Sequence, residues 1–247
     1  NQNVLNRIFF MNLKVSTKKN FQKVKFNNGL NKLALELGLE AKLYFERKEK
    51  LKNMAILVTK EPHVLEELLK AHREKKLKIN IPIVIGTTNK LKEICKKFEI
   101  KFLWVKNTEQ ATREKRILDI LEKNNVDFIV LARYMKILSP KFVWNYSNRI
   151  INIHPSLLPA FPGAMAYVQA FEKGVRVSGA TAHFVTVDLD QGPIIVQESF
   201  KVNSNDQLEK IKRLGRNAES KALLKAVNLF INNKLESKWG RVIVKSS

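Results

Sequence analysis

Between residues 54 and 156 the chain alternates short apolar runs with longer segments whose apolar residues recur every three or four positions. Runs that are apolar throughout are typical of strands buried on both faces, whereas the longer spacing is typical of amphipathic helices. The pattern predicts strands over 54–59, 81–86, 101–106, 127–134 and 149–156, with helices over 63–76, 89–98, 111–125 and 139–146. Such alternation favours an α/β fold: an open, mostly parallel sheet with helices on both faces, Rossmann-like in kind.

After Pro155 the pattern changes. A helix is predicted over 165–174, and two strands over 179–187 and 193–202 are separated only by the loop Asp188–Gly192. So short a connection indicates a hairpin-like addition to the parallel part of the sheet. A long helical stretch over 206–235 and a short strand over 241–245 complete the pattern.

The first 46 residues have a different character, with a strand predicted over 7–15, a helix over 26–39 and a strand over 41–46. A charged stretch follows, so we predict three parts: a small α+β domain over 1–46, a linker over 47–53 and a larger domain over 54–247. Because a strand–helix–strand piece alone buries too little surface to be stable, we expect it to pack on the rest of the chain or on another subunit.

Composition narrows the class of protein. No run of about 18 apolar residues occurs, and the start lacks the pattern of a signal peptide, so we expect no membrane span. The single cysteine, Cys95, excludes an internal disulfide, and we expect it to pack in a short helix in a reducing compartment such as the cytoplasm. The net charge of +22 would attract nucleic acid, anionic lipid or a polyanionic substrate, although lysine is spread along the whole chain and forms no single stripe.

Two polar residues end the strand predicted before Pro155. Asn152 and His154 are one strand period apart, so their side chains point to the same face, and Pro155 ends the ladder of hydrogen bonds. In an open parallel sheet, ligands bind at the carboxyl ends of the strands. The two side chains are therefore candidates for the rim of a cleft.

A second candidate group lies in the stretch HFVTVDLDQGPI. His183 is on the predicted strand, and Asp190 lies in the following loop, where Gly192 and Pro193 fix the turn. An amide can donate to a developing oxyanion, an imidazole can exchange a proton near neutral pH, and a carboxylate can orient the imidazole and hold a water. No serine or cysteine nucleophile is needed, so attack on a carbonyl by water or an amine is the expected reaction. The histidines show no metal-ligand spacing, and we expect no metal.

The segments NIHPSLLP, GATAHFV and DLDQGPIIVQ together resemble the family of formyltetrahydrofolate-dependent formyltransferases and hydrolases. The order of ILVTKEPHVLEELL, IPIVIGTT and VLARYMKILSP is similar to that of its deformylases, along essentially the whole chain. The resemblance implies hydrolysis of 10-formyltetrahydrofolate to formate and tetrahydrofolate, a step of one-carbon and purine metabolism, in the cytoplasm and without a cofactor. It implies catalytic roles for Asn152, His154 and Asp190, a supporting position for His183, and folate contacts at four further residues: Met135, Leu138, Thr186 and Leu189.

Two other members of the family stay open as alternatives. Glycinamide ribonucleotide formyltransferases have a glycine-rich phosphate-binding loop after the first strand, where this chain reads VTKEPHVLEE without glycine. Loss of a phosphate cradle leaves water as the acceptor, which favours the deformylases. Methionyl-tRNA formyltransferase would use the basic charge, but we expect no room for its tRNA-binding domain after residue 245. A basic nucleic-acid-binding protein is the weakest alternative, since it leaves the Asn-His-Asp set unexplained.

The resemblance also covers residues 1–46, which look like the second half of the small regulatory ACT domain that precedes deformylase domains, with the first half absent. We expect a homo-oligomer with no membrane partner, and no nucleic-acid partner despite the net charge of +22. One departure from the family pattern follows Ala164: the chain reads Met165, Ala166, Tyr167 and Val168 in place of the usual Arg-Pro-Tyr-His.

Overall fold

The computed structural model describes residues 2–5, 8–11, 13, 15, 21–45, 51–106 and 108–245. Contacts divide the chain into two compact units, Asn1–Lys50 and Leu51–Ser247. The division falls inside the predicted linker over 47–53. Among the described residues, no helix is both long enough and apolar enough to cross a bilayer.

The first unit contains strands β1 (Gln2–Leu5) and β2 (Ile8–Met11), paired antiparallel, and helix α1 (Lys23–Glu36). The prediction of a second strand over 41–46 is wrong for residues 41–45, which have irregular backbone, and residue 46 lies outside the described part. Leu43, Tyr44 and Phe45 favour strands, but the propensity of single residues does not by itself form a strand. The likeness to part of an ACT domain therefore stays a prediction.

The second unit carries the sheet and its helices. Its elements, in chain order, are β3 (Asn53–Val58), α2 (His63–Arg73), β4 (Asn80–Gly86), α3 (Lys92–Lys97), β5 (Phe102–Trp104), α4 (Gln110–Lys123), β6 (Phe128–Ala132), α5 (Pro140–Asn145), β7 (Ile150–His154), α6 (Ala166–Glu172), β8 (Val177–Phe184), β9 (Ile194–Lys201), α7 (Leu208–Ile231), β10 (Leu235–Lys238) and β11 (Arg241–Val244). The sequence pattern predicted all of these except β10, a short strand with more polar than apolar residues that pairs with β11.

The sheet has seven strands in the order β5-β4-β3-β6-β7-β8-β9. The pairings from β5 to β7 are parallel, whereas β7-β8 and β8-β9 are antiparallel. The predicted mostly parallel sheet with a hairpin-like addition is confirmed. Strands β4 and β5 lie on one side of β3, and the strands from β6 onwards lie on the other. The direction of winding therefore switches between β3 and β6, where open α/β sheets form their ligand clefts.

Two apolar clusters cover the two faces of the sheet. One includes residues of α2, α3 and α7, and the other includes residues of α4 and α5. In β7, Ile151 and Ile153 belong to the first cluster and Ile150 to the second. Because side chains alternate along a strand, Asn152 and His154 point to the side of Ile150, as predicted from their spacing.

The one cysteine lies in the first of these clusters. Cys95 of α3 is fully buried, and burial raises the pKa of its thiol to about 11. A thiol with so high a pKa stays protonated near neutral pH and is a poor nucleophile. Cys95 therefore packs as a small apolar side chain, as the sequence predicted.

Candidate active site

Strand β7 delivers two of the predicted catalytic side chains to one edge of the sheet. Asn152 pairs in register with Leu131 of β6 on one side and with His183 of β8 on the other. The strand ends at His154, directly before Pro155, which has no amide hydrogen for the ladder. The change from parallel to antiparallel pairing at β7 thus brings His183 opposite Asn152, a juxtaposition that the sequence alone did not predict.

The loop between β8 and β9 delivers the carboxylate. Asp190 has a left-handed backbone with φ of 56°, and its Oδ2 accepts a hydrogen bond of 2.9 Å from the Gly163 amide. Close by, Gly192 passes so near the Phe184 carbonyl that a Cβ would lie 1.7 Å from its oxygen. The tight return of the loop therefore requires glycine at this point and turns Asp190 inward, where its side chain is only 6% exposed.

His154 lies between two hydrogen-bond acceptors. Its Nε2 is 2.8 Å from the Phe161 carbonyl oxygen, and its Nδ1 is 3.3 Å from Oδ2 of Asp190. A carbonyl only accepts, so Nε2 carries a hydrogen in this geometry. Favourable contact at Nδ1 then requires a second proton, either on that nitrogen or on the carboxylate. The pair is consequently built to hold one transferable proton at the site.

His183 differs from His154 because it lies between one hydrogen-bond acceptor and one donor. Its Nδ1 lies 2.9 Å from the Phe184 carbonyl oxygen and carries the hydrogen, and its Nε2 accepts from the Asn152 amide nitrogen at 3.2 Å. Burial lowers its pKa, although the Phe184 carbonyl and Asp190, 3.8 Å away, act to raise it. A neutral ring that accepts from Asn152 fixes which way the amide points.

The lowered pKa of His183 predicts a specific loss of stability on acidification. Below about pH 6.5 the unfolded chain binds this proton more readily than the folded chain, so stability falls as the pH drops towards the lower folded pKa. We expect His183→Gln to remove this contribution, at most about 1.4 kcal/mol per pH unit. Urea unfolding of both proteins at about pH 7.5 and about pH 5.5 measures it. An identical pH dependence in the two proteins would show that His183 gains its proton as easily folded as unfolded.

The four side chains together can support acyl chemistry. One N–H of the Asn152 amide donates to His183, and the other has no acceptor among the described residues, so it is available to an oxyanion. The His154–Asp190 pair supplies a proton donor and acceptor beside it. Within the described ranges, no group of histidine, cysteine and acidic side chains has the arrangement of a metal site.

The four predicted folate contacts lie in two loops. Met135 is half exposed and Leu138 is buried, both in the stretch after β6. Thr186 and Leu189 lie in the loop that carries Asp190, with Leu189 also half exposed and the Thr186 hydroxyl donating to the Asp188 carbonyl at 3.1 Å. The exposed Met135 and Leu189 leave apolar surface available, but their contact with folate remains a prediction.

Sequence reasoning missed the backbone groups that complete the site. The Phe161 carbonyl and the Gly163 amide bind His154 and Asp190, and both belong to the loop between β7 and α6. A carbonyl or amide carries no signature in the sequence, because every residue has one. The only available signal was the stretch FPG itself, which predicts a turn close to the end of β7.

Hydrogen bonds of threonine hydroxyl groups hold the loop after β3 in place. The Thr59 hydroxyl accepts from the Met135 amide at 3.0 Å and lies 3.3 Å from the Thr87 hydroxyl, while the Thr88 hydroxyl donates to the Thr59 carbonyl at 2.7 Å. Pro62, which has no amide hydrogen, directly precedes α2. This loop contains no glycine, so it offers no close backbone approach of the kind that a phosphate cradle uses.

Comparison with known proteins agrees with this architecture. A family model described as formyl transferase matches residues 52–227. The formyltetrahydrofolate deformylase of Bacillus subtilis is 43% identical over 196 residues, 78% of this chain and 65% of the relative, so the chain spans about two thirds of that relative's length.

Two solved structures have the same fold. A formyltetrahydrofolate deformylase from Pseudomonas syringae pv. tomato superposes with a TM-score of 0.79 at 28% identity, covering 92% of this chain and 76% of that one. Glycinamide ribonucleotide transformylase 1 from Symbiobacterium toebii gives 0.77 at 30% identity, covering 83% and 99%. With its sheet order, its strand-end motif and a family match over most of its length, the chain belongs to the formyl transferase family.

Proposed function

We propose that the protein hydrolyses 10-formyltetrahydrofolate to formate and tetrahydrofolate. The observation that carries the proposal is the arrangement of Asn152, His154 and Asp190, which combines a neutral amide donor with an acid–base pair around one strand end. The 43% identity to the Bacillus subtilis deformylase supports water as the acceptor of the formyl group. The loop after β3, which lacks glycine, supports the same choice.

In the proposed reaction, the formyl carbonyl lies beside the available N–H of Asn152. Asp190 takes a proton from water as the oxygen attacks the formyl carbon, and Asn152 stabilises the oxyanion of the tetrahedral intermediate. The proton held by the His154–Asp190 pair passes to the folate nitrogen as its bond to the formyl carbon breaks. Formate and tetrahydrofolate leave, and one proton is released to solvent. 10-Formyltetrahydrofolate is the substrate, and the proposal requires no resident cofactor.

Formyl transfer to an amine is the second candidate, because the Symbiobacterium toebii transformylase shares the fold with a TM-score of 0.77. Incubation with 10-formyltetrahydrofolate in ¹⁸O-labelled water, without any amine, separates the two. Hydrolysis releases formate and tetrahydrofolate in equal amounts, with one oxygen of the formate from the solvent. Tetrahydrofolate release that begins only when an amine is added, with the formyl group appearing on that amine and no formate formed, would overturn the proposal in favour of a transferase.

We further propose a homo-oligomer in the cytoplasm that uses neither nucleic acid nor membrane. The buried single cysteine and the absence of paired cysteines among its 247 residues support a reducing compartment. Light scattering across a range of protein concentrations tests the assembly. Binding to DNA that weakens steeply with salt would instead give the net charge of +22 a function.

A further inference from the structure

A second ionic cluster lies outside the candidate active site, centred on Glu219 of α7, whose side chain is 2% exposed. Its Oε2 lies 3.1 Å from His63 Nε2 and 3.6 Å from Arg133 Nε. Its Oε1 accepts a hydrogen bond of 3.1 Å from the Tyr167 hydroxyl. A buried carboxylate is costly unless it is paired and hydrogen-bonded, and here three partners share that role.

The three partners come from three separate elements. His63 begins α2, Arg133 directly follows β6, and Tyr167 is the second residue of α6. Burial, reinforced by the charge of Glu219, raises the pKa of the Tyr167 phenol, so this residue remains a neutral hydrogen-bond donor. Glu219 therefore joins the ends of three elements to the long helix α7.

The contact of Glu219 with Tyr167 lies at the end of the loop between β7 and α6. Tyr167 lies four residues after Gly163, whose amide binds Asp190, and six residues after Phe161, whose carbonyl binds His154. The Tyr167 ring also packs directly on α7, where a Cβ at Gly215 would lie 2.1 Å from its Cζ. Both the hydroxyl and the ring of Tyr167 thus fix the end of this loop.

The contact of Glu219 with Arg133 lies at the end of β6, the strand that pairs with β7. Arg133 follows β6 in a left-handed conformation with φ of 59°, two residues after Leu131, which pairs with Asn152 of β7. Glu219 consequently contacts Arg133, which follows the strand paired with β7, and Tyr167, which follows the loop that binds His154 and Asp190 through its backbone.

We propose that Glu219 is a positioning residue for the reaction, acting through Tyr167 on the loop that binds His154 and Asp190 and through Arg133 on the end of β6. Its kinetic test rests on the proposed hydrolysis of 10-formyltetrahydrofolate. Without the contact between Tyr167 and Glu219, the loop between β7 and α6 no longer holds the Phe161 carbonyl and the Gly163 amide in one fixed geometry. Since a misplacement of about 1 Å can cost about 100-fold in rate, removing this contact lowers kcat without removing any group that contacts substrate.

The kinetic experiment compares Glu219→Gln and Tyr167→Phe with the parent. Tyr167→Phe removes one hydrogen bond and should lower kcat roughly three- to tenfold. Glu219→Gln keeps an oxygen that accepts from Tyr167 but removes the charge that pairs with Arg133, and it should also lower kcat. KM should change less than about twofold, because neither residue contacts substrate. Two matched controls should keep the parent's kcat: Glu198→Gln, whose carboxylate pairs with Lys225 of the same helix as Glu219, and Tyr146→Phe.

A second experiment needs no substrate and so separates this proposal from the proposed function. The chain has four histidines, so the ring nitrogens of His154 can be assigned in ¹⁵N spectra of the folded protein through single substitutions. At one pH, the His154 nitrogen shifts should differ from the parent in Glu219→Gln and Tyr167→Phe, since the two nitrogens contact the Phe161 carbonyl and Asp190. Glu198→Gln should leave these shifts unchanged.

The positioning role and the proposed reaction can fail independently of each other. Altered His154 shifts in both variants support the positioning role even if the parent releases no formate, an outcome that would defeat only the proposed reaction. Parent-like His154 shifts and parent-like kcat in folded Glu219→Gln and Tyr167→Phe overturn the positioning role. So does a loss of rate that follows only the fraction of unfolded protein, because a purely structural Glu219 would change the amount of active enzyme and leave the His154 nitrogens as they are.

Discussion

Replacing Asp190 by asparagine should lower formate release from 10-formyltetrahydrofolate by about 100- to 10,000-fold, the range for loss of a positioned acid–base group. The substitution preserves shape but not charge. The Gly163 amide still requires an acceptor, so the oxygen of the introduced amide would keep the Oδ2 position, which also faces His154 Nδ1, and the NH₂ group would take the Oδ1 position, which faces His183 Nε2. A neutral amide cannot take a proton from water as a carboxylate does, so the substitution removes the base of the proposed reaction.

The measurement is steady-state formate release at saturating substrate, with folding checked by urea unfolding. Asp188 provides a matched control, because it lies in the same loop with its side chain in solvent. Asp188→Asn should keep the parent's rate within about twofold, since a surface substitution away from specific contacts changes little. A folded Asp190→Asn protein within about threefold of the parent would remove Asp190 from the proposed mechanism.

Asn152→Ala should lower kcat by about 100- to 1,000-fold, equivalent to about 2.7–4 kcal/mol, if its available N–H stabilises the oxyanion. The same substitution leaves His183 Nε2 without its donor, so some loss of stability accompanies it. The loss of rate and the loss of stability can be measured separately, because kcat is calculated from the concentration of folded enzyme. An oxyanion donor acts mainly in the transition state, so kcat and kcat/KM should fall together.

Asn232 provides the control for this variant. It is exposed at the end of α7, and its amide donates to the Asn228 carbonyl at 2.7 Å. Asn232→Ala should therefore leave kcat unchanged and cost only the small amount expected of a surface hydrogen bond. If Asn152→Ala raises KM while kcat stays at the parent's level, the amide binds ground-state substrate and has no role in the chemical step.

The sequence predicts an element well where the spacing of its apolar residues is typical of one kind of secondary structure. The apolar runs around Ile56 and Val130 can belong only to strands covered on both faces, and both are fully buried. Strand β10, in contrast, reads Leu-Glu-Ser-Lys and forms because β11 lies beside it. Residues 41–45 show the converse, since their backbone is irregular although Leu43, Tyr44 and Phe45 favour strands. Short strands depend on their neighbours more than on their own residues.

The candidate site shows the same division between local and distant information. By itself the sequence determined that Asn152 and His154 share a face at the end of a strand, because two residues is one strand period and Pro155 ends the ladder. Only the tertiary structure decided that His183 faces Asn152, that Asp190 lies beside His154, and that Glu219 of α7 contacts Tyr167 and Arg133. Those contacts join residues that are far apart in the chain, or pass through backbone groups that every residue has. They depend on how strands pair and helices pack, which no local pattern encodes.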